Sequence, residues 1–132
     1  MSSRLLLDTH VLVWAVAAPH RILRRTMAQL ADMDSALFVS AASAFEIATK
    51  VRLGRMPDAA EIARTYGSSL ARIGATKLDV SAEHALLAGA LDWAHADPFD
   101  RLLVAQAELG SLTLVTKDRA IREFDGVRTL WR

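Results

Sequence analysis

The chain contains no cysteine. That excludes a disulfide framework, thiolate zinc sites, iron–sulfur clusters and a cysteine nucleophile. A dominant sign of charge is also missing, with 16 Lys+Arg against 15 Asp+Glu and a formal net charge of +1. With no bulk attraction for nucleic acid or an anionic membrane, any such partner has to be met by a local patch. Phosphate loops of the GxxxxGKS and GxGxxG types are absent, which argues against nucleoside-triphosphate and dinucleotide sites. Gly67-Ser68-Ser69 falls inside a helical pattern and is no nucleophile elbow. His10, His20, His84 and His95 lack the HExxH spacing of a zinc protease. No long hydrophobic run occurs either. The opening MSSRLLLDTHVLVWAVAA has the outline of a secretory leader, but Asp8 and His10 interrupt it. The apolar run Val11 to Ala18 falls far short of the ~20 residues that span a bilayer. The segment therefore reads as part of the fold, and the expectation is a cytoplasmic protein without a membrane partner.

What is present is a chain of 132 residues with 52% hydrophobic content. This is the size of one ordinary domain with a core of its own, so a single domain over residues 1–132 is expected. Short apolar runs alternate with helical patterns. Strands are predicted at Arg4–Leu7, Ala36–Ser40, Lys77–Val80, Leu112–Thr116 and Val127–Trp131. Helices are predicted to Ala18, over Arg21–Met33, Ala42–Leu53, Asp58–Ile73 (as one or two), Ser81 to Ala94, Phe99–Leu109 and Arg119–Phe124. Gly54, Gly74 and Gly110 act as stops. Strands with little polar alternation, separated by helices, imply crossover connections. The expected architecture is α/β, a three-layer sandwich with a mainly parallel sheet flanked by helices. Ligands in such sheets gather beyond the carboxyl ends of the strands, near a topological switch point.

Acids concentrate at those ends. Asp8 follows the first strand, Glu46 lies early in the helix after the second, Asp97 and Asp100 bracket Pro98-Phe99 at a helix start, and Asp118 follows LTLVT. Each has an ordinary structural explanation. Ser43 to Glu46 fits a capping box, DPFD fits an N-cap with proline at the first helical position, and Asp8 and Asp118 fit N-caps. Together they imply more. Several acids at one end of one sheet repel each other and raise each other's pKa values unless a cation holds them. Hard divalent ions such as Mg²⁺ take oxygen ligands of this kind. His10 and His95, each two residues from an acid, are candidates for supporting contacts.

The segments LLLDTHVLVWA, SAASAFEIATK, HADPFDRLLVAQA and LTLVTKDRAI, in that order and spacing, resemble a PIN-domain protein, and most of all the VapC-type toxins of toxin–antitoxin pairs. The resemblance runs from Leu5 to about Phe124. It implies a PIN-like fold and a Mg²⁺- or Mn²⁺-dependent endoribonuclease, silenced by a VapB-like antitoxin and forming a homodimer. By motif position Asp8 matches the first acid, Glu46 the second, Asp100 the third and Asp118 the last. Asp97 is an extra acid that shares the ion or binds through water, and Thr116 matches the hydroxyl residue before the last acid. Lys50, Arg52, Arg55, Arg101, Lys117 and Arg119 are candidates for phosphate contact with an RNA substrate. Val11, Leu12, Trp14, Val16, Ile22 and Leu23 read either as core or as a groove for an antitoxin segment. Two other readings compete. One is a catalytically silent PIN-like module that binds RNA or regulates. The other is a Mg²⁺-dependent phosphatase of the haloacid-dehalogenase kind starting from Asp8, although its pattern wants an acid where His10 stands.

Overall fold

A computed structural model describes residues 3–132; Met1 and Ser2, which open the leader-like segment, lie outside the described residues. Five strands, β1 (Ser3–Leu7), β2 (Ser35–Ser40), β3 (Ala75–Leu78), β4 (Thr113–Val115) and β5 (Thr129–Leu130), form one sheet in the order β3-β2-β1-β4-β5. Every pairing is parallel. Between the strands run α1 (Thr9–Ala17), α2 (Arg24–Ala31), α3 (Ala41–Arg52), α4 (Ala60–Arg64), α5 (Tyr66–Arg72), α6 (Ala82–Ala90), α7 (Pro98–Gly110) and α8 (Arg119–Arg122). Short 3₁₀ turns cover Pro19–Arg21 and Pro57–Ala59.

The Leu5-Leu6-Leu7 run is buried along its whole length because β1 is central and both of its faces are covered. Alternate side chains serve opposite layers. Leu5 and Leu7 join Val39, Val11, Leu12, Ile47, Ile62 and Leu70 in one core, under α1 to α5. Leu6 joins Leu114, Leu103, Val104 and Ile121 in the other, under α7 and α8. The three-layer α/β sandwich expected from the sequence is what forms. Strand order reverses at β1, which runs through β2 to β3 on one side and meets β4 and β5 on the other. The crevice of this sheet therefore opens beyond the ends of β1 and β4.

Several local expectations shift. The capping box at Ser43 does not form: Ser40 caps α3 through the Ala42 N–H, while Ser43 lies inside the helix and accepts from the Thr9 hydroxyl at 3.0 Å. Helix α6 ends at Ala90 rather than Ala94, so Leu91 to Asp97 is irregular. Residues 58–73 split at Thr65. The left-handed residue after α7 is Ser111 (φ +52°) and not Gly110, whereas Gly54 and Gly74 do take the positive φ expected of helix-ending glycines. Of the apolar residues near the N-terminus, Val11, Leu12 and Ile22 are core, Trp14 and Val16 are half-buried, and Leu23 is exposed.

Candidate active site

At the crevice, three helix starts deliver three acids. Asp8 caps α1, accepting from the Val11 N–H at 3.0 Å. Asp97 caps α7 through the Phe99 and Asp100 N–H groups at 2.8 and 3.1 Å. Asp118 caps α8 through Ala120 at 2.8 Å. For Asp8 and Asp118 capping and site formation are thus one arrangement, since a cap side chain at a strand-to-helix junction already sits at the carboxyl edge of the sheet. Asp97 instead reaches the cleft from the irregular stretch between α6 and α7. Glu46 comes from the second turn of α3 and Asp100 from the first turn of α7. All five carboxylates line one cleft of about 270 Å³, together with Thr9, His10, Trp14, Lys50 and Lys117.

The carboxylates are held rather than loose. Thr116, fully buried, donates its hydroxyl to Asp8 Oδ2 and accepts the Asp118 N–H at 3.0 Å, so one side chain ties the first acid to the last. Lys50 Nζ lies 2.5 Å from Glu46 Oε2 one helical turn away. His95 Nε2 lies 2.7 Å from Asp100 Oδ2. Asp97 Oδ2, Asp100 Oδ1, Asp118 Oδ2 and Glu46 Oε1 have no hydrogen-bond partner among the described residues. Each of these four acids therefore keeps one oxygen for something else.

Residues 5–127 match the sequence profile of the PIN domain. The chain belongs to the PIN domain family. The fold of this PIN domain is similar to VapBC2 from Rickettsia felis bound to a DNA fragment from their promoter, with a TM-score of 0.71 and 17% identity over 98% of this chain and 99% of that chain. It is also similar to DNA-bound VapBC from Salmonella typhimurium, with a TM-score of 0.66 and 18% identity over 98% of each chain. A toxin–antitoxin complex from Klebsiella pneumoniae gives a TM-score of 0.60 and 19% identity over 92% of this chain and 93% of that one. At such identities the likeness is one of fold. No curated protein matches the sequence.

The electrostatics of the PIN domain's cleft favour a cation. Burial is the main force raising the pKa of Asp8; Glu46 adds to it, while the Thr116 and Val11 hydrogen bonds and His10 oppose it. Asp100 is pushed up to about 6, first by burial and then by Asp97 and Asp118, against the His95 contact. The acids sense one another across the cleft, and a bound divalent cation would relieve that repulsion. The donor set is all oxygen, which suits Mg²⁺ or Mn²⁺. No three His, Asp or Glu side chains among the described residues already converge as a ligand cluster. The donors fit such an ion in kind, and closing on it requires side-chain adjustment.

The candidate cations divide. Lys50 and Lys117 line the cleft, and Lys117 Nζ lies 5.8 Å from the centre of the Trp14 ring. Arg52 and Arg55 are exposed beyond Glu46 and line no part of it. Arg119 pairs with Glu123 at 2.7 Å on the outer surface. Arg101 turns away from the cleft and donates to the carbonyls of Ala88, Leu91, Trp93 and His95 at 2.7 to 2.9 Å, with a longer contact to Gly89. Lys117 and Asp118, which follow the end of β4, both line the cleft. Sequence reasoning missed Trp14 and Thr9 as lining residues. Their only signal was proximity to Asp8 at the head of α1.

Proposed function

We propose that this protein is a VapC-type toxin, a Mg²⁺- or Mn²⁺-dependent endoribonuclease held in check by a VapB-like antitoxin. PIN domains of the VapC type are nucleases. The observation that carries the reading for this chain is the gathering of Asp8, Glu46, Asp97, Asp100 and Asp118 from four separate chain segments into one cleft at the switch point of the sheet. A scatter of ordinary helix caps has no reason to include Glu46 and Asp100, neither of which caps a helix.

Asp8, Asp100, Glu46 and Asp118 would hold the ion, with Asp97 sharing it or acting through water. When bound, a divalent ion supplies positive charge that neutralises a scissile phosphate and acidifies water. Asp8 is kept in one orientation by the Val11 N–H and the Thr116 hydroxyl, which lowers the reorganisation needed at the moment of reaction. Glu46 and Asp118 would also position the attacking water or take its proton. Lys50 and Lys117 offset the negative field of the cleft, so that an RNA backbone can approach the acids. Single-stranded or looped RNA is the proposed substrate form, because its backbone can bend into a cleft of this size.

The partners belong to the same proposal. The similar solved structures from R. felis and S. typhimurium are VapBC complexes, which supports an antitoxin partner of the VapB kind. Exposed Phe45, Leu86 and Leu109 leave apolar surface for that partner or for a homodimer. A single domain working in the cytoplasm completes the reading, and among the described residues no helix is long and apolar enough to cross a membrane. The test is incubation of the purified protein with an end-labelled folded RNA in Mg²⁺, Mn²⁺ or EDTA. Internal cleavage that requires metal is expected. Metal-independent binding without cleavage would make the chain a binding module, and hydrolysis of a small phosphate ester with RNA untouched would make it a phosphatase.

A further inference from the structure

We infer that His95 is a positioning residue for Asp100, itself fixed by the ring of Trp93 and the guanidinium of Arg101. The inference rests on the reading of Asp100 as a metal-holding carboxylate. An aspartate turns freely about its last torsion unless something grips one oxygen. Here His95 Nε2 lies 2.7 Å from Asp100 Oδ2, and because an ionised carboxylate only accepts, the ring is assigned as the donor, leaving Oδ1 without a protein partner.

His95 cannot hold Asp100 unless it is held. It belongs to the irregular stretch Leu91 to Asp97, whose only internal backbone bond among the described residues runs from the Trp93 N–H to the Leu91 carbonyl at 2.9 Å. Two devices replace a regular ladder. The His95 ring stacks on Trp93 with centroids 4.6 Å apart and planes at 27°. Trp93 stacks in turn on Phe124 at 4.7 Å and 17°, and both pack against the core formed by Leu6, Leu103 and Leu114. The second device is Arg101, whose Nη1 reaches the carbonyls of Trp93 at 2.7 Å and His95 at 2.9 Å. Its Nη2 reaches Leu91 at 2.7 Å and its Nε reaches Ala88 at 2.9 Å. A planar fork with fixed donor directions can hold several carbonyls at once in a way that a lysine cannot. Arg101 directly follows Asp100 in α7, so the acid and the clamp on its partner move as one body.

The experiment is a Mn²⁺ titration without RNA, followed by the electron paramagnetic resonance of the free ion. It compares wild type, Asp100→Asn, His95→Phe, His95→Gln and the double variant H95F/D100N. His95→Phe keeps a ring for Trp93 and removes the donor; His95→Gln keeps an N–H donor. The expected result is a tenfold or greater loss of Mn²⁺ affinity in H95F, a loss within about threefold in H95Q, and no further loss when H95F is added to D100N. Wild-type affinity in H95F alongside a weakened D100N would overturn the role of His95 while leaving the metal site intact. No Mn²⁺ binding by wild type, or binding by D100N equal to it, would instead overturn the reading of Asp100. A second measurement uses the wild type alone, so it does not depend on the variants folding. Long-range ¹H–¹⁵N spectra should show His95 with its proton on Nε2, and a proton fixed on Nδ1 with bare Nε2 would contradict the assignment.

Discussion

Asp100→Asn should make the metal-free protein more stable at neutral pH while impairing its chemistry. In the folded chain the Asp100 pKa is about 6, against an ordinary value of 3.8, and its side chain is 20% exposed. Because the folded value lies above the unfolded one, the native state binds more protons than the unfolded state between these limits, and stability falls as pH rises through them. Over that window the fall amounts to about 3 kcal/mol, at about 1.4 kcal/mol per pKa unit. Asparagine carries no charge and can still accept from His95, so the variant escapes the fall. Thermal unfolding in EDTA should show the two proteins converging near pH 3 and the variant ahead above pH 7, by on the order of 10 °C for a domain of this size. Saturating Mg²⁺ should narrow or reverse the gap, since a ligand at a hundred times its Kd adds about 2.7 kcal/mol to the protein that binds it. Parallel curves from pH 3 to 8 in EDTA would refute the reasoning, because they would mean that Asp100 titrates alike in the folded and unfolded chains.

Other outcomes follow from single contacts. Thr116→Val removes the hydroxyl that joins Asp8 to the Asp118 N–H, so RNA cleavage should fall by about 10- to 100-fold while Thr116→Ser retains most of it; kinetic assay of both variants decides. Ser111→Gly relieves a left-handed serine at the end of α7 and should raise stability by about 0.5–1 kcal/mol in urea unfolding, with activity unchanged. Leu6→Ala empties a fully buried site between β1 and α7 and should lower stability by about 2–5 kcal/mol in the same assay.

The sequence carried the parts of this structure that depend on local pattern. Leu5-Leu6-Leu7 followed by Asp8 announces a buried strand turning into a capped helix, and DPFD announces the start of α7 equally well. The switch point follows once the alternation of strands and helices is read as a parallel sheet, and it predicts where the acids collect. Features set by distant contacts were not legible. Nothing in LDWAHA forbids helix, and α6 stops early where Arg101 and the Phe124–Trp93–His95 stack hold the following loop. Arg101 looked like a phosphate-binding cation because its charge is visible in sequence and its carbonyl partners are not. Ser43 was a plausible cap on local grounds, but the β2 register carries the strand through Ser40, which takes that place and leaves Ser43 to meet Thr9 across the helix pair.

The central claim is that the clustered acids cut RNA with the help of a divalent ion. Its most direct test is the cleavage rate of one folded RNA by wild type, Asp8→Asn and Asp100→Asn, purified identically, at saturating Mn²⁺ and with matched circular dichroism spectra. The account predicts cleavage by the wild type and a loss of at least a hundredfold in both variants. Equal rates in all three proteins would contradict it, because cleavage would then arise from a contaminant or from a site elsewhere on the chain.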